Sequence, residues 1–268
     1  MYVPVVSVRV RSNALYKKTD LQRKADLGVC LVFSPGGVFM LLLGAEFPTK
    51  CQNTLRELSI PYTILPENTA LSSPLSAHPD ISIFCLGDTY FTTKTYFGEI
   101  SALFDRNNKK LVAVPEQLQS GYPSETLFGG FTLGKHLFCK TDSFSKTILR
   151  HAKTHGYQIH HVRQGYAKCA ALTVKNELLI SADAGLCRAA APYGTVLQIT
   201  PGHIALPPYA CGFIGGASAV LKNCVLFFGN LDAHPDKSKI SAALDAYGLC
   251  TVSLSKAPLW DCGSAVNL

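Results

Sequence analysis

The chain has 268 residues, 47% of them hydrophobic, and carries a net charge of +7. That is enough for a well-cored globular chain of one domain or two, and no apolar run is long enough to cross a bilayer. Its ten cysteines form no C-x-x-C pair and no zinc-type spacing, so they read as free thiols of a reducing cytoplasm, with no metal or cofactor expected.

In chain order, residues 1–24 come first. They hold Arg9, Arg11, Lys17, Lys18, Arg23 and Lys24 against Asp20 alone, which is most of the net charge. The plain reading is a solvated basic arm, or a first strand, over residues 1–30; the sharper one is contact with nucleic acid or the ribosome through residues 1–24. No basic stretch followed by an apolar core marks a signal peptide. Residues 38–65 read as a strand (38–43), a helix (49–58) and a strand (62–65). Residues 81–115 read as two strands, a helix near 97–104 and a third strand.

Residues 127–162 give the clearest unit. An apolar segment turns at Gly134-Lys135 into a second strand, as in a hairpin. Asp142 or Ser143 is placed to cap a helix with apolar residues at Phe144, Ile148, Leu149 and Ala152. Gly156 ends that helix, and residues 158–162 return as a strand. The order is β-β-α-β.

The same order recurs over 165–199 and 212–254. Residues 165–183 lie without a gap on 212–230, with Gly165/Gly212, Ala170/Ala217, Lys175/Lys222, Asn176/Asn223 and Leu179/Leu226 coinciding. Residues 216–220 fall in turn on 262–266, and 134–142 on 175–183. A period of about 40–50 residues marks an array of one supersecondary unit. The last unit, 260–268, has only a first strand, and 38–65 has everything except one. Joined, they make a fifth unit. The expected architecture is therefore one α/β domain over 31–268, a β/α-propeller of five pseudo-symmetric ββαβ modules closed into a ring, with its sheet edges hidden.

Ring closure says which residues meet. If first strands line the axis, Asp88, Gly129/Gly130, Lys168/Cys169, Gly215/Gly216 and Asp261/Cys262 converge there, the glycines leaving room for a ligand. Cys262 is the candidate nucleophile, with Lys168 or His234 lowering its pKa; the alternative is a small apolar filler. Lys168 could instead reach solvent or pair with Asp261. Asp142 and Asp183 read as helix caps. His234, just before Pro235, is a rim or capping residue, and His160-His161 have no evident metal partners.

Four strings resemble an uncharacterised bacterial family of the pentein, or guanidine-modifying-enzyme, fold: His78-Pro-Asp80 with Leu86-Gly-Asp88, 164–169 (QGYAKC), 212–218 (GFIGGAS), and Gly229-Asn230 with His234-Pro-Asp236. More distantly the modules resemble arginine and agmatine deiminases, amidinotransferases and dimethylarginine hydrolases. That resemblance puts Cys262 where the enzymes' last-module cysteine attacks a guanidinium carbon, and Asp88 near a guanidinium-binding acid. The enzymes' second-module acidic motif is replaced here by Phe128-Gly-Gly-Phe131, and their histidine by Lys168 or Cys169. The resemblance to the bacterial family also implies a last module ending in Asp-x-Gly-Ser, which would make Asp261, Gly263 and Ser264 the family feature and Cys262 incidental.

Two functions follow as expectations. One is a Cys-dependent hydrolase or transferase on an amidine, guanidine or other small polar molecule, with Cys262, Lys168 and His234 reacting and Asp88, Cys169, Gly215, Gly216, Asp261 and Ser264 binding. The other is a non-catalytic pentein that binds a ligand or a macromolecule. An oligomer is compatible with both.

Overall fold

The computed structural model describes residues 39–268. The basic segment 1–24 and the whole of the expected arm 1–30 thus lie outside the described residues, as does Val38.

Among the described residues, fifteen strands form five three-stranded sheets. The first module holds β3 (Phe84–Leu86), β4 (Thr89–Thr93) and β5 (Lys110–Val114). The second holds β6 (Gly130–Leu133), β7 (His136–Cys139) and β8 (Gln158–His161). The third holds β9 (Leu172–Val174), β10 (Leu178–Ser181) and β11 (Thr195–Gln198). The fourth holds β12 (Ser218–Val220), β13 (Cys224–Phe227) and β14 (Cys250–Ser253). In the fifth, the C-terminal β15 (Val266–Asn267) pairs antiparallel with β1 (Leu41–Leu43), which runs parallel to β2 (Tyr62–Ile64). In every module the middle strand is antiparallel to the first and parallel to the third. Parallel neighbours need a crossover, and a helix supplies it: α1 (Thr49–Glu57), α3 (Lys94–Arg106), α4 (Lys146–Thr154), α6 (Ala184–Ala190) and α7 (Lys237–Ala246). Two single-turn helices, α2 (Pro79–Ser82) and α5 (Ala167–Ala170), precede β3 and β9.

The crossover helices form where apolar residues recur at helical spacing. In α3, Tyr96, Ile100 and Phe104 are buried along one face, the stripe that packs on a sheet. The cap of α4 is Ser145, whose hydroxyl accepts the Ile148 N–H at 3.2 Å, so neither Asp142 nor Ser143 fills that role. Asp142 is instead an exposed partner of Lys140. Asp183 does cap α6, accepting the Leu186 N–H at 2.9 Å.

The hairpins of the third and fourth modules differ by one residue. Residues 175–177 join the Val174/Leu178 pair, whereas 221–224 join the Val220/Val225 pair. The gapless overlay of 165–183 on 212–230 therefore cannot hold along both strands of the hairpin; by the faces they bury, the first strands stay in register and the second are one residue out.

Neighbouring modules share apolar cores. Phe84 of the first meets Phe144 of the second edge to face at 5.2 Å, and Phe47 of the fifth meets Phe228 of the fourth at 4.9 Å. Such pairs add about 0.5–1.5 kcal/mol beyond area burial. Leu133 and Leu179 join one cluster across modules two and three, Leu172 and Val225 another across three and four, and Ile83 and Val266 a third across one and five. Main-chain hydrogen bonds also cross the junctions. Gly216 N–H donates to Cys169 O at 2.9 Å, Cys262 and Ser264 N–H both donate to Gly216 O, and Asp80 N–H donates to Gly263 O at 3.1 Å. Among the described residues no helix is long and apolar enough to cross a membrane.

Candidate functional site

The residues just ahead of the first strands gather at these junctions, and the buried ionisable ones among them include His78, Asp80 and Asp261. Pro79 opens α2 after an extended His78, using proline where its missing N–H costs nothing. This turn carries Asp80 inward, to 2% exposure. Both Asp80 carboxylate oxygens are buried without a hydrogen-bond partner. A buried carboxylate left in that state costs several kcal/mol unless something else supplies the donors or the charge.

Asp261 lies in the segment leading to β15 and is also buried, but it is satisfied. Its oxygens accept the Phe213 N–H at 2.9 Å and the Gly263 N–H at 3.0 Å. Burial, and then the charge of Asp80, push its carboxyl up to about 7 despite those two bonds. His78 Nδ1 lies 3.9 Å from Asp261 Oδ1. Burial lowers the His78 pKa, while Asp80 and Glu46 pull the other way.

Gly216 makes this packing possible. A Cβ there would fall 1.9 Å from Asp261 Oδ1. A Cβ on Gly215 would meet the main-chain carbonyls of Ala171, Cys169 and Lys168 at 2.5–2.7 Å. The two glycines serve close approach of one module to the next. The space they free is filled by protein, although Gly215 also borders a cavity.

That cavity, of about 290 Å³, is bounded by β3, β9, β12 and β15, the first strands of four modules. Asp80, Lys168, Ser218 and Ser264 line it, with Cys85 and Tyr90. The Ser218 hydroxyl donates to Ile214 O at 2.8 Å and that of Ser264 to Ser218 O at 3.3 Å. Their protons spent, both oxygens remain as acceptors. A smaller cavity of about 160 Å³ is lined by His78, Cys169 and Asp261 among apolar side chains.

The remaining expected site residues are distributed as follows. Lys168 sits in the helical turn α5 rather than in an extended strand. Cys169, in the same turn, is buried, and its thiol is pushed well up by burial and then by Asp80 and Asp261. Cys262 is pushed up likewise, first by burial and then by Asp261 and Cys51. Its sulfur lies 3.6 Å from Trp260 O, within an apolar cluster that includes Leu43, Phe47 and Leu254. It borders a third, small cavity with Glu46 and Trp260. Lys168 and Cys262 therefore face different cavities, and no thiolate–lysine pair forms between them. Asp88 is exposed in the β3–β4 turn. His234 stands beside α7, where its Nδ1 accepts the Asp236 N–H at 3.1 Å and its ring meets His203; it lines none of these cavities.

Sequence reasoning passed over His78 and Asp80 as site residues. The signal was present in the string His78-Pro79-Asp80, which precedes the first module's first strand as Asp261 precedes the last module's. Among the described residues no cluster of three or more His, Cys, Asp or Glu side chains is placed to hold a metal ion.

Solved structures share this fold of five three-stranded ββαβ modules. Dimethylarginine dimethylaminohydrolase from Pseudomonas aeruginosa, a cysteine-to-serine mutant in complex with citrulline, aligns at TM-score 0.52 and 10% identity over 81% of this chain and 91% of its own. SxtG, an amidinotransferase from Microseira wollei, aligns at 0.52 and 11% over 81% and 88%. Agmatine deiminase from C. jejuni aligns at 0.50 and 11% over 85% and 92%. No curated protein sequence matches the chain. The chain belongs to a family of unknown function, DUF6873, whose model matches residues 42–266.

Proposed function

We propose that the five modules close into a ring and that the chain binds a small amidine- or guanidine-type cation in the larger cavity, on Asp80. Ring closure is supported by the β15–β1 pairing and by the apolar cores shared between neighbouring modules. The observation that carries the ligand reading is Asp80, buried beside an open volume with neither oxygen paired. A planar cation with several N–H donors supplies what such a carboxylate lacks. The Ser218 and Ser264 oxygens add acceptors around it. Lys168 in the same cavity favours a ligand whose far end is anionic, so an amino-acid-like zwitterion fits better than a bare cation.

Binding, rather than thiol attack, is the reading this geometry favours. A nucleophilic cysteine needs a lowered pKa, and both Cys169 and Cys262 are raised. A second reading, cysteine chemistry on the same ligand, rests on Cys169 lying close enough to Asp80 and Asp261 for their charges to raise its pKa. A cation bound there would offset the carboxylates' part of that rise, though not the larger part due to burial.

Calorimetric titration with methylguanidine, acetamidine, agmatine and arginine tests the reading. Saturable binding that disappears in Asp80→Asn supports it; heats that are absent, or indifferent to that change, overturn it. Iodoacetamide labelling with and without ligand separates the two readings. Faster labelling of Cys169 in the liganded protein favours chemistry, and protection favours simple binding.

A further inference from the structure

The smaller cavity differs in kind from the larger one. Its walls are Leu75, Ile81, Tyr166, Leu206, Tyr209 and Phe213, and its only strongly polar side chains are His78 and Asp261. Its volume of about 160 Å³ is close to the roughly 150 Å³ of a dry, apolar protein cavity that accepts benzene. The scale is that of one six-membered ring.

Exposed aromatics mark the same region. The large hydrophobic side chains exposed among the described residues are Tyr122, Tyr193, Tyr209 and Trp260. Tyr209 lines the cavity itself. Tyr122 lies 6.0 Å from the cavity-lining Tyr166, ring to ring. Trp260 borders the adjoining small cavity, which shares His78, Leu206 and Asp261 with this one. Three of the four therefore cluster here. Clustered exposed apolar surface marks binding sites, whereas scattered residues need no explanation.

The polar side chains narrow the ligand further. Asp261 accepts two main-chain N–H groups, and a carboxyl group has acceptor capacity beyond two bonds. An anionic ligand would meet the Asp261 carboxyl. A ring without a donor would leave the remaining acceptor capacity unused.

We propose that this cavity is a second ligand site, which takes a single aromatic ring bearing one O–H or N–H donor, with the donor directed to Asp261 and the ring between Tyr166, Tyr209 and Phe213. It is independent of the cation site, because it uses different walls and a different carboxylate.

Trp260 is the only tryptophan in the chain, so its fluorescence, excited at the red edge, reports occupancy of this region. Phenol is the probe, with toluene and benzoate as controls. A saturable response to phenol, at least tenfold tighter than to either control, is expected. It should be lost in Cys211→Phe, which places a ring at the wall of the cavity, and weakened severalfold in Tyr209→Ala, which removes an exposed side chain and spares the core. Should Cys211→Phe fail to fold, Tyr209→Ala carries the test. Toluene or benzoate binding as tightly as phenol, no saturable phenol response by fluorescence or by ligand-observed NMR, or indifference to Tyr209→Ala would each overturn the assignment. Titrating wild-type protein with methylguanidine and with phenol separately distinguishes the two sites: a phenol response without a guanidine response removes the cation reading alone, and the converse removes this one.

Discussion

The tripeptide His-Pro-Asp occurs twice, and its two copies have opposite fates. At 234–236 it precedes the outer helix α7. There Asp236 accepts the Thr200 N–H at 2.6 Å and pairs with Lys239 at 2.8 Å, and these hydrogen bonds hold its carboxyl well below the usual range. At 78–80 the tripeptide stands ahead of β3 at the junction of the first and fifth modules. There neither Asp80 oxygen has a hydrogen-bond donor in good geometry; the Cys169 thiol lies close enough to interact with it, and Asp261 is a buried acid near enough to be raised by it. The local sequence is identical, so neighbours contributed by other modules decide the outcome. Folding has satisfied one copy and left the other to be satisfied from outside, which is where a ligand gains most.

Exchanging each acid for its amide tests the contrast most sharply. Asp80→Asn is expected to weaken guanidine or amidine binding by about 2–5 kcal/mol, 30-fold or more, while the melting temperature holds or rises, because an unpaired buried charge has been removed. Asp236→Asn should do the reverse, lowering the melting temperature and sparing the ligand. Calorimetry and thermal melts on the two proteins decide it. Loss of stability in Asp80→Asn would mean that the carboxylate is already paired in the free protein.

Gly216→Ala comes next. The added methyl must displace the Asp261 carboxylate, and overpacking of this kind costs typically about 1–3 kcal/mol. The expectation is a lower denaturation midpoint and weaker cation binding together, since Asp261 neighbours Asp80. A neutral result would show that the junction yields easily.

Asp261→Asn probes the same pair through pH. The folded-state carboxyl is raised, so between about pH 4 and 7 the native state holds a proton that the unfolded chain has released. Its contribution to stability is present at the acid end and is lost as pH rises through about 7, with a slope of at most about 1.4 kcal/mol per pH unit. His78 and His234, whose pKa values are lowered, act in the opposite sense, because the unfolded chain takes up their protons first. The difference between wild type and Asp261→Asn isolates the carboxyl. Wild type should lose its advantage, or fall further behind, as pH goes from 4.5 to 7.5. A pH-independent difference would mean that Asp261 is ionised throughout. The amide also forfeits one of the two main-chain bonds, so a constant offset is expected as well.

These residues also show what the sequence could reveal. The modules were readable because each repeats one pattern: a hairpin, an amphipathic helix, a return strand. The 110–114 strand, the Lys175-Asn176 turn with both residues at positive φ, and the Asp183 cap all follow local rules. The 165–183 overlay suggests a strand at Lys168 because it carries no mark of the helical turn α5 or of the one-residue difference between the two hairpin loops. Asp80 stayed hidden for a different reason. Whether a carboxylate is paired depends on residues some 180 positions away, and no local pattern distinguishes His78-Pro-Asp80 from His234-Pro-Asp236. Cys262 drew attention as a reactive residue type, yet its reactivity is set by the apolar cluster and acids around it.

The smallest expected effect concerns the satisfied copy. Lys239→Met removes the exposed partner of Asp236 and leaves the Thr200 amide in place. Exposed ion pairs contribute little and are screened by salt. The melting temperature should therefore fall by less than in Asp236→Asn, and the difference from wild type should vanish as ionic strength rises. The Asp80 effect on binding, at a buried carboxylate, should lose less under the same salt. A loss in Lys239→Met as large as that in Asp236→Asn would mean that one surface lysine, and not the buried amide, satisfies the outer aspartate. The two tripeptides would then differ only by the accident of a neighbouring charge. A lysine or arginine introduced within reach of Asp80 should in that case silence the cation site without any ligand at all.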